Sequence, residues 1–245
     1  ARQLAETGCN LIIVARREER LNALKQDLMT RHPGVAVDVI AMDLTARNAA
    51  RHLHEEIEKW GRHVDVLINN AGFGLFGWFL ERDWPQTANM IQLNAVVPGE
   101  LTHLMAPGMV KRGFGRILYV SSVAGYVATP TYAAYAGAKA HILHFGEAMS
   151  VELRGSGVYT TVLSPGMTRT EFLDVSGQKA TFGQRIMMME SPDVARIGLH
   201  AMMRGTPSVV PGFMNKVLVA SMRLVPRSWL KWVSYFIMRN EDVAG

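Results

Sequence analysis

The chain has 245 residues, of which 49% are hydrophobic and 19% are charged, and its formal net charge is +5. This length and balance are typical of one globular domain with a three-layer core, and they exclude a disordered chain. The basic residues are scattered along the sequence, so the charge favours an anionic cofactor over a nucleic acid as the partner.

Predicted strands and helices alternate along the chain. The predicted strands are short apolar runs at residues 10–14, 35–42, 64–68, 115–120, 158–163 and 208–210. The predicted helices cover residues 1–6, 16–31, 45–60, 84–112, 131–154 and a segment from 192 onwards. Such alternation is typical of parallel strands joined by crossover helices. We therefore predict an α/β fold, a Rossmann-type doubly wound parallel sheet in three α/β/α layers, within a single domain of residues 1–245.

A serine, a tyrosine and a lysine stand out around the predicted strand 115–120. This strand leads into Ser122, and the next helix carries Tyr135 and Lys139, which are four residues apart and share one helix face. The reference pKa of tyrosine is about 10, and a positive charge at roughly 6 Å lowers it by about two units. Ser122 is placed to hold a substrate oxygen while Tyr135 protonates it. We therefore predict an acid–base site.

The Tyr-x-x-x-Lys pair alone also fits an ordinary amphipathic core helix. Ser122 lies thirteen residues before Tyr135, however, and this joint spacing resembles the active site of the short-chain dehydrogenase/reductase family. The resemblance extends from residue 1 to about residue 210. It implies hydride transfer between a nicotinamide cofactor and a ketone, aldehyde or alcohol, with Tyr135 as general acid/base. It also implies that Lys139 holds the nicotinamide ribose.

Further cofactor contacts are expected where the predicted strands end, because ligands of open parallel sheets bind beyond the carboxyl ends of the strands. The resemblance implies an adenine contact for Asp43, a close backbone approach at the Asn-Asn-Ala-Gly element, and nicotinamide and phosphate contacts for the Pro-Gly loop. Asp43 is also a common residue at the start of a helix. The implied cofactor-binding residues are Asp43, Leu44, Asn70, Ala71, Gly72, Tyr135, Lys139, Pro165, Gly166, Thr168 and Thr170.

Two arginines follow the first predicted strand. Dinucleotide-binding folds often carry an acidic residue there, which binds the adenine ribose hydroxyls. Here Arg16 and Arg17 follow Ala15 instead. Guanidinium groups suit a 2′-phosphate, so we predict a preference for NADP(H) over NAD(H). The alternative is that both arginines are solvated residues at the start of a helix.

Asn94 lies in the predicted helix 84–112, four residues before Pro98. Because proline has no N–H, the Asn94 carbonyl loses its usual intrahelical partner. The resemblance implies that Asn94 holds a proton-relay water near Lys139. The alternative is that Pro98 only bends the helix.

Apolar residues follow the Asn-Asn-Ala-Gly element and fill the loop at about 166–190, which we predict to be a substrate lid. They are Phe73, Phe76, Trp78, Phe79, Phe172, Leu173, Phe182, Met187, Met188 and Met189. An apolar, adaptable pocket follows from this composition, and with it an apolar carbonyl or alcohol substrate.

Residues 211–245 are predicted to form a C-terminal helical extension. Within it, the segment 227–239 carries an aromatic stripe flanked by basic residues, namely Trp229, Trp232, Val233 and Phe236 with Arg227, Lys231 and Arg239. Subunit contact or lid packing accounts for this pattern, and so does peripheral attachment to a membrane.

The remaining expectations concern assembly, location and metal. The family resemblance implies a homodimer or homotetramer, and closed symmetric oligomers are common. The single Cys9 excludes an intrachain disulfide framework and suits a reducing compartment, so we expect a cytoplasmic protein. We predict no metal site and no nucleic-acid partner.

The chain departs from the resembling family at its beginning. The glycine-rich phosphate-binding loop and the strand before it have no counterpart, and residues 1–5 resemble the rest of the helix that this loop opens. We expect this sequence to be a fragment of a longer natural chain with roughly 15–20 further residues upstream. Without those residues, we expect a split sheet and weak NADPH binding. A dinucleotide-sensing or partner-binding protein without turnover is therefore the alternative to an oxidoreductase.

Overall fold

The computed structural model describes residues 1–172, 176–178 and 188–238. The chain divides into two compact units, Ala1–Leu53 and His54–Gly245. Both units contain parallel strands with helices between them. No helix of the described ranges is long and apolar enough to cross a membrane.

The first unit contains a two-stranded parallel sheet. Its elements are α1 (Arg2–Glu6), β1 (Leu11–Ala15), α2 (Glu18–Arg31), β2 (Val37–Ala41) and the beginning of α3 (Ala49–Lys59). Leu11 of β1 is opposite Val37 of β2, and the pairing continues to the end of both strands. Ala5, Leu28 and Val37 lie in a buried apolar cluster of this unit. Burial of these apolar side chains between helix and sheet stabilises the unit.

The second unit contains a four-stranded parallel sheet and a small two-stranded one. Its strands are β3 (Val66–Asn69), β4 (Gly115–Val120), β5 (Val158–Leu163), β6 (Thr168–Arg169), β7 (Met189–Glu190) and β8 (Ser208–Val209). The larger sheet has the order β3-β4-β5-β8, and β6 pairs with β7.

Helices cover both faces of the larger sheet. They are α4 (Trp84–Ile91), α5 (Val97–Arg112), α6 (Ala133–Glu152), α7 (Ser191–Met203), α8 (Phe213–Ser221) and α9 (Arg227–Met238). Tyr119 of β4 points to one face, where its ring meets Phe145 of α6. Its neighbour Leu118 points to the other face and packs with Val194 and Met202 of α7. Alternate side chains of a strand thus build two apolar layers, as expected for a parallel sheet between helices.

The predicted parallel strands and crossover helices are confirmed, and β4 and β5 have the predicted bounds. The predicted helix 84–112 is in fact interrupted by a π-helical turn, Gln92–Val96, between α4 and α5. Pro98 lies in the first turn of α5, and its missing N–H is tolerated there but not in a helix interior. The pairing of β6 with β7 was not predicted, because each strand has only two residues.

Parts of the predicted lid and extension lie outside the described residues. Residues 173–175, 179–187 and 239–245 are among them, including Leu173, Phe182, Met187 and Arg239. The proposed bounds of the lid, 166–190, and of the extension, 211–245, stay predictions.

Candidate active site

The carboxyl ends of three strands bring the predicted site residues of the second unit together. Asn69, the last residue of β3, is opposite Tyr119, and Val120 at the end of β4 is opposite Leu163 at the end of β5. The segments that follow these strands contain the Asn-Asn-Ala-Gly element, Ser122 and the Pro-Gly loop. Ligands of open parallel sheets bind at this edge.

Ser122 is held in a short turn between β4 and α6. It caps the 3-10 turn Val123–Tyr126, and its Oγ accepts a hydrogen bond from Ala124 N at 3.2 Å. The turn lies directly on α6, because a Cβ atom at Gly125 would come within 2.9 Å of the Lys139 carbonyl oxygen. Ser121 Oγ donates to the same carbonyl oxygen at 2.7 Å. Glycine at 125 therefore permits the close approach that positions Ser122.

Tyr135 and Lys139 lie on successive turns of α6, as predicted. Lys139 Nζ is 5.7 Å from the centroid of the Tyr135 ring, close to the separation of roughly 6 Å that the spacing predicts. Burial raises the pKa of Tyr135 above its usual value, and a hydrogen bond with the Ser122 side chain opposes this rise. The direction is opposite to the lowering predicted from the Lys139 charge, because the buried phenolate loses its solvation.

Lys139 is a buried cation with 5% of its surface exposed. Its Nζ donates a hydrogen bond to the Val120 carbonyl oxygen at 2.8 Å. Burial lowers the pKa of Lys139 from 10.5 to about 8. The buried ammonium therefore lowers the stability of the folded protein at neutral pH, because the hydrogen bond to one carbonyl replaces only part of its lost solvation.

Asn94 lies in the π-helical turn and is 1% exposed. Its Nδ2 donates to the carbonyl oxygens of Phe73 at 2.7 Å and Met90 at 2.9 Å. Its Oδ1 has no hydrogen-bond partner within the described chain. A Cβ atom at Gly72 would overlap this oxygen and lie 3.5 Å from Lys139 Nζ. The amide oxygen and the ammonium thus both adjoin the bare Cα of Gly72, although the prediction concerned the Asn94 backbone carbonyl.

Comparison with known proteins agrees with this geometry. Residues 1–181 match the family model of the short chain dehydrogenases. This chain belongs to the short-chain dehydrogenase family. The predicted fold class is thereby confirmed.

The relatives of this short-chain dehydrogenase are named as reductases of different substrates. It is 32% identical over 173 residues to a very-long-chain 3-oxoacyl-CoA reductase of Pyrenophora tritici-repentis, a match that covers 69% of the chain and 51% of that protein. It is 33% identical to sulfoacetaldehyde reductase 2 of Chromohalobacter salexigens, over 70% of the chain and 68% of that protein. The chain thus spans about half the length of the first of these curated relatives.

Solved structures of short-chain dehydrogenases have the same fold. One from Sphingobium yanoikuyae, in complex with NADPH, superposes with a TM-score of 0.80 at 26% identity. The superposition covers 93% of this chain and 91% of that one.

The Pro-Gly loop of this short-chain dehydrogenase is held by hydrogen bonds and by close packing. Val123 N donates to the Pro165 carbonyl oxygen at 3.0 Å, and Thr168 Oγ1 donates to the Gly166 carbonyl oxygen at 3.1 Å. Thr170 Oγ1 accepts from Phe172 N at 3.2 Å. These contacts fix the loop beside Ser122, and its cofactor contacts stay predictions.

The remaining predicted cofactor residues lie in the first unit, which is described by itself. Arg16, Arg17 and Asp43 are exposed, and Leu44 is buried with 8% of its surface exposed. Asp43 Oδ1 accepts from Thr45 N at 2.9 Å and from Thr45 Oγ1 at 2.8 Å. The Thr45 N–H, followed by the Thr45 hydroxyl and the charge of Arg16, lowers the pKa of Asp43, whereas its partial burial acts in the other direction. Asp43 therefore forms a local turn, and its adenine contact stays a prediction.

Two residues that sequence reasoning missed support the site. The ring of Tyr132 lies 5.6 Å from that of Tyr135, and its hydroxyl donates to Gln178 Oε1 at 2.9 Å. Its position three residues before Tyr135, at the N-cap of α6, was the available signal. Asn215 lies 2.5 Å from the position of a Cβ atom at Gly166, and no local pattern indicates this contact.

The apolar residues predicted to line a pocket separate into two groups. Phe172 lies against the site, with its ring 5.4 Å from that of Tyr135. Phe76 is 4% exposed and its ring is 5.3 Å from that of Tyr132. Trp78 and Phe79 are 40% and 48% exposed. Apolar rings therefore surround one side of the Tyr135 phenol.

These residues fit a nicotinamide dinucleotide. The exposed backbone at residues 70–72 has no large side chain to block a ligand, and the orphaned Asn94 oxygen offers a hydrogen-bond acceptor. Lys139 and Tyr135 would supply donors for the ribose hydroxyls of a bound cofactor. The cofactor, when bound, would supply or accept the hydride.

Proposed function

We propose that this protein is an NADP(H)-dependent oxidoreductase that interconverts an apolar ketone or aldehyde and the corresponding alcohol. The observation that carries the proposal is the convergence of the Ser122 hydroxyl, the Tyr135 phenol and the Lys139 ammonium. These are the groups needed to bind a carbonyl oxygen and to deliver a proton to it.

The proposed roles follow from the chemistry of each group. Ser122 donates a hydrogen bond to the carbonyl oxygen, and Tyr135 transfers its phenolic proton to that oxygen as the alcohol forms. The phenol holds its proton at neutral pH, because its usual pKa of about 10 is already well above 7 and burial raises the pKa further. Lys139 stabilises the resulting phenolate.

An apolar substrate is proposed because aromatic rings border the phenol. Phe172 contacts the Tyr135 ring, and Phe76 packs on Tyr132 directly behind it. The relative named very-long-chain 3-oxoacyl-CoA reductase adds support, whereas the sulfoacetaldehyde reductase represents a small anionic alternative.

The test is a panel of carbonyl compounds assayed for NADPH consumption. We expect long-chain or bulky apolar ketones to have a higher kcat/KM than small charged aldehydes, because the apolar rings are covered only by an apolar substrate. Activity on sulfoacetaldehyde alone would exclude the apolar assignment. NADPH and NADH binding without turnover of any compound would favour the dinucleotide-sensing alternative.

We propose that NADPH binds more tightly than NADH, with Arg16 as the main determinant. Substitution Arg16→Ala is expected to narrow the difference in binding free energy by roughly 1.5–3 kcal/mol, because a guanidinium–phosphate contact is lost. Titration of both nucleotides by calorimetry measures this difference.

The matched control is Arg51→Ala, which removes an exposed arginine from α3. This variant should keep the wild-type preference. Tighter binding of NADH than NADPH by the unmodified protein would refute the role of the arginines.

We also propose that the protein assembles as a homodimer or homotetramer through α5 and α6. Val110 of α5 is 41% exposed and Val151 of α6 is 70% exposed, so both helices present apolar side chains outward. Analytical ultracentrifugation at micromolar concentration should give a mass of two or four times 27.1 kDa. A monomer under these conditions contradicts the assembly.

A further inference from the structure

In the last described helix, α9, a polar side chain is buried and large apolar side chains are exposed. Ser234 is buried with 8% of its surface exposed, whereas Trp229 is 68%, Trp232 59% and Val233 49% exposed. An amphipathic helix of a globular protein normally buries its apolar side chains. Trp229, Trp232 and Val233 are three and four residues apart and share one side of the helix, which we name the Trp229 face.

Aromatic packing within the second unit fixes which side of α9 points inward. The Tyr235 ring lies 5.9 Å from the ring of Trp78, which belongs to the segment after β3. Ser234, beside Tyr235 in sequence, is buried on the inward side. Tyr235 and Ser234 therefore anchor the helix, and the Trp229 face points away from the protein.

The charged residues of the C-terminal part of the sequence have one sign. The sequence contains no aspartate or glutamate between Asp193 and Glu241. The basic residues in the described part of this interval are Arg196, Arg204, Lys216, Arg223, Arg227 and Lys231. On α9 itself, Arg227 and Lys231 are exposed. An anionic partner complements such a surface, whereas a symmetric contact with a second copy would oppose two basic surfaces.

A lipid surface fits both the tryptophans and the charge. Tryptophan is enriched at membrane–water interfaces, and an amphipathic helix with basic residues beside its apolar face lies in the plane of the interface. The 12 described residues of α9 extend only ~18 Å, less than the ~30 Å hydrocarbon core. We propose that α9 docks on membranes that contain anionic lipids, with the Trp229 face in the interface and Arg227 and Lys231 at the headgroups.

Docking of α9 goes beyond the proposed reaction and does not depend on it. The test is co-sedimentation of the 245-residue protein with vesicles of phosphatidylcholine, with and without phosphatidylserine. We expect binding to the phosphatidylserine vesicles, a blue shift of the tryptophan emission and release by added salt. The double variant Trp229→Ser/Trp232→Ser should bind at least about tenfold more weakly, and Lys231→Gln about fivefold more weakly.

Matched controls separate this surface from a general loss of apolar area or charge. Trp60→Ser removes a tryptophan that is 38% exposed at the end of α3, and Lys111→Gln removes an exposed lysine of α5. Both should bind vesicles like the wild type, and thermal melting should show that all variants are folded. If the double variant does not fold, Lys231→Gln carries the test, because its side chain is exposed.

Two outcomes would overturn the proposal. The first is a wild-type protein that ignores anionic vesicles, or that loses no affinity on Lys231→Gln. The second is self-association that the double variant abolishes without any vesicle binding, which would make the Trp229 face a contact between copies of this chain.

Discussion

Substitution of Tyr135 by phenylalanine is expected to lower turnover by about 100-fold or more and to leave NADPH affinity almost unchanged. The ring contacts with Tyr132 and Phe172, at 5.6 and 5.4 Å, do not involve the hydroxyl, so phenylalanine preserves the packing. The variant loses the proton that the proposed reaction transfers, together with the hydrogen bond to the Ser122 side chain. Steady-state kinetics with the best ketone of the panel and calorimetric NADPH binding measure the two effects.

The matched control is Tyr159→Phe. Tyr159 lies on β5 at 48% exposure, and the Arg116 guanidinium is 4.6 Å from its ring centroid, a contact that phenylalanine keeps. This variant should have wild-type turnover. Full turnover of Tyr135→Phe would show that another group supplies the proton, and a large loss of NADPH affinity would show that the hydroxyl mainly serves binding.

Sequence periodicity was sufficient for those parts of the site that lie within one element. Tyr135 and Lys139 are neighbours because they are one helical turn apart, and the observed 5.7 Å between Nζ and the ring centroid is close to the separation predicted from this spacing. The apolar runs of β4 and β5 have the predicted bounds because parallel strands buried on both faces have nearly continuous apolar sequences.

Contacts between residues far apart in the chain could not be predicted from the sequence. The prediction for Asn94 concerned its backbone carbonyl and did not include its side-chain contacts. Its Nδ2 donates to Phe73 O, 21 residues away, and its Oδ1 has no partner within the described ranges. Pro98 signalled a break in the helix without indicating that the break is a π-helical turn. The packing of Asn215 on Gly166 joins segments with no shared local pattern.

The pKa of Tyr135 shows why electrostatics also needs the fold. The sequence provides the nearby positive charge of Lys139, and from this charge we predicted a lower pKa. Burial depends on every element packed around the phenol, and it raises the pKa instead. Burial of the ammonium likewise lowers the pKa of Lys139 to about 8, which no spacing along the helix indicates.

Substitution of Lys139 by methionine is expected to remove activity and to stabilise the cofactor-free protein. Activity falls, by about 100-fold or more, because the phenolate of Tyr135 loses its stabilising charge. NADPH affinity should fall too if Lys139 holds the ribose. Stability rises because a buried ammonium with a pKa of about 8 instead of 10.5 costs about 3 kcal/mol at neutral pH. The loss of the hydrogen bond to Val120 O offsets part of this gain. We therefore expect the free energy of unfolding to rise by roughly 1–2 kcal/mol.

The pH dependence distinguishes this explanation from better packing by methionine. Below pH 8 both the folded and the unfolded wild type carry the proton on Lys139, and the full cost is present. Between pH 8 and 10.5 the folded state releases the proton before the unfolded state does, so the stability of the wild type rises with pH. The advantage of Lys139→Met should therefore shrink by roughly 1.4 kcal/mol between about pH 7 and pH 9.

Urea unfolding of both proteins without cofactor, near pH 7 and near pH 9, measures this difference. Lys111→Met is the control, because Lys111 is exposed in the last turn of α5 and its substitution should give a pH-independent effect. An advantage of Lys139→Met that stays constant across this range would mean that the buried ammonium is not its origin. A variant that is less stable than the wild type and fully active would contradict both expectations. A buried lysine lowers the stability of the fold, and its retention is explained by the role of its charge in the reaction.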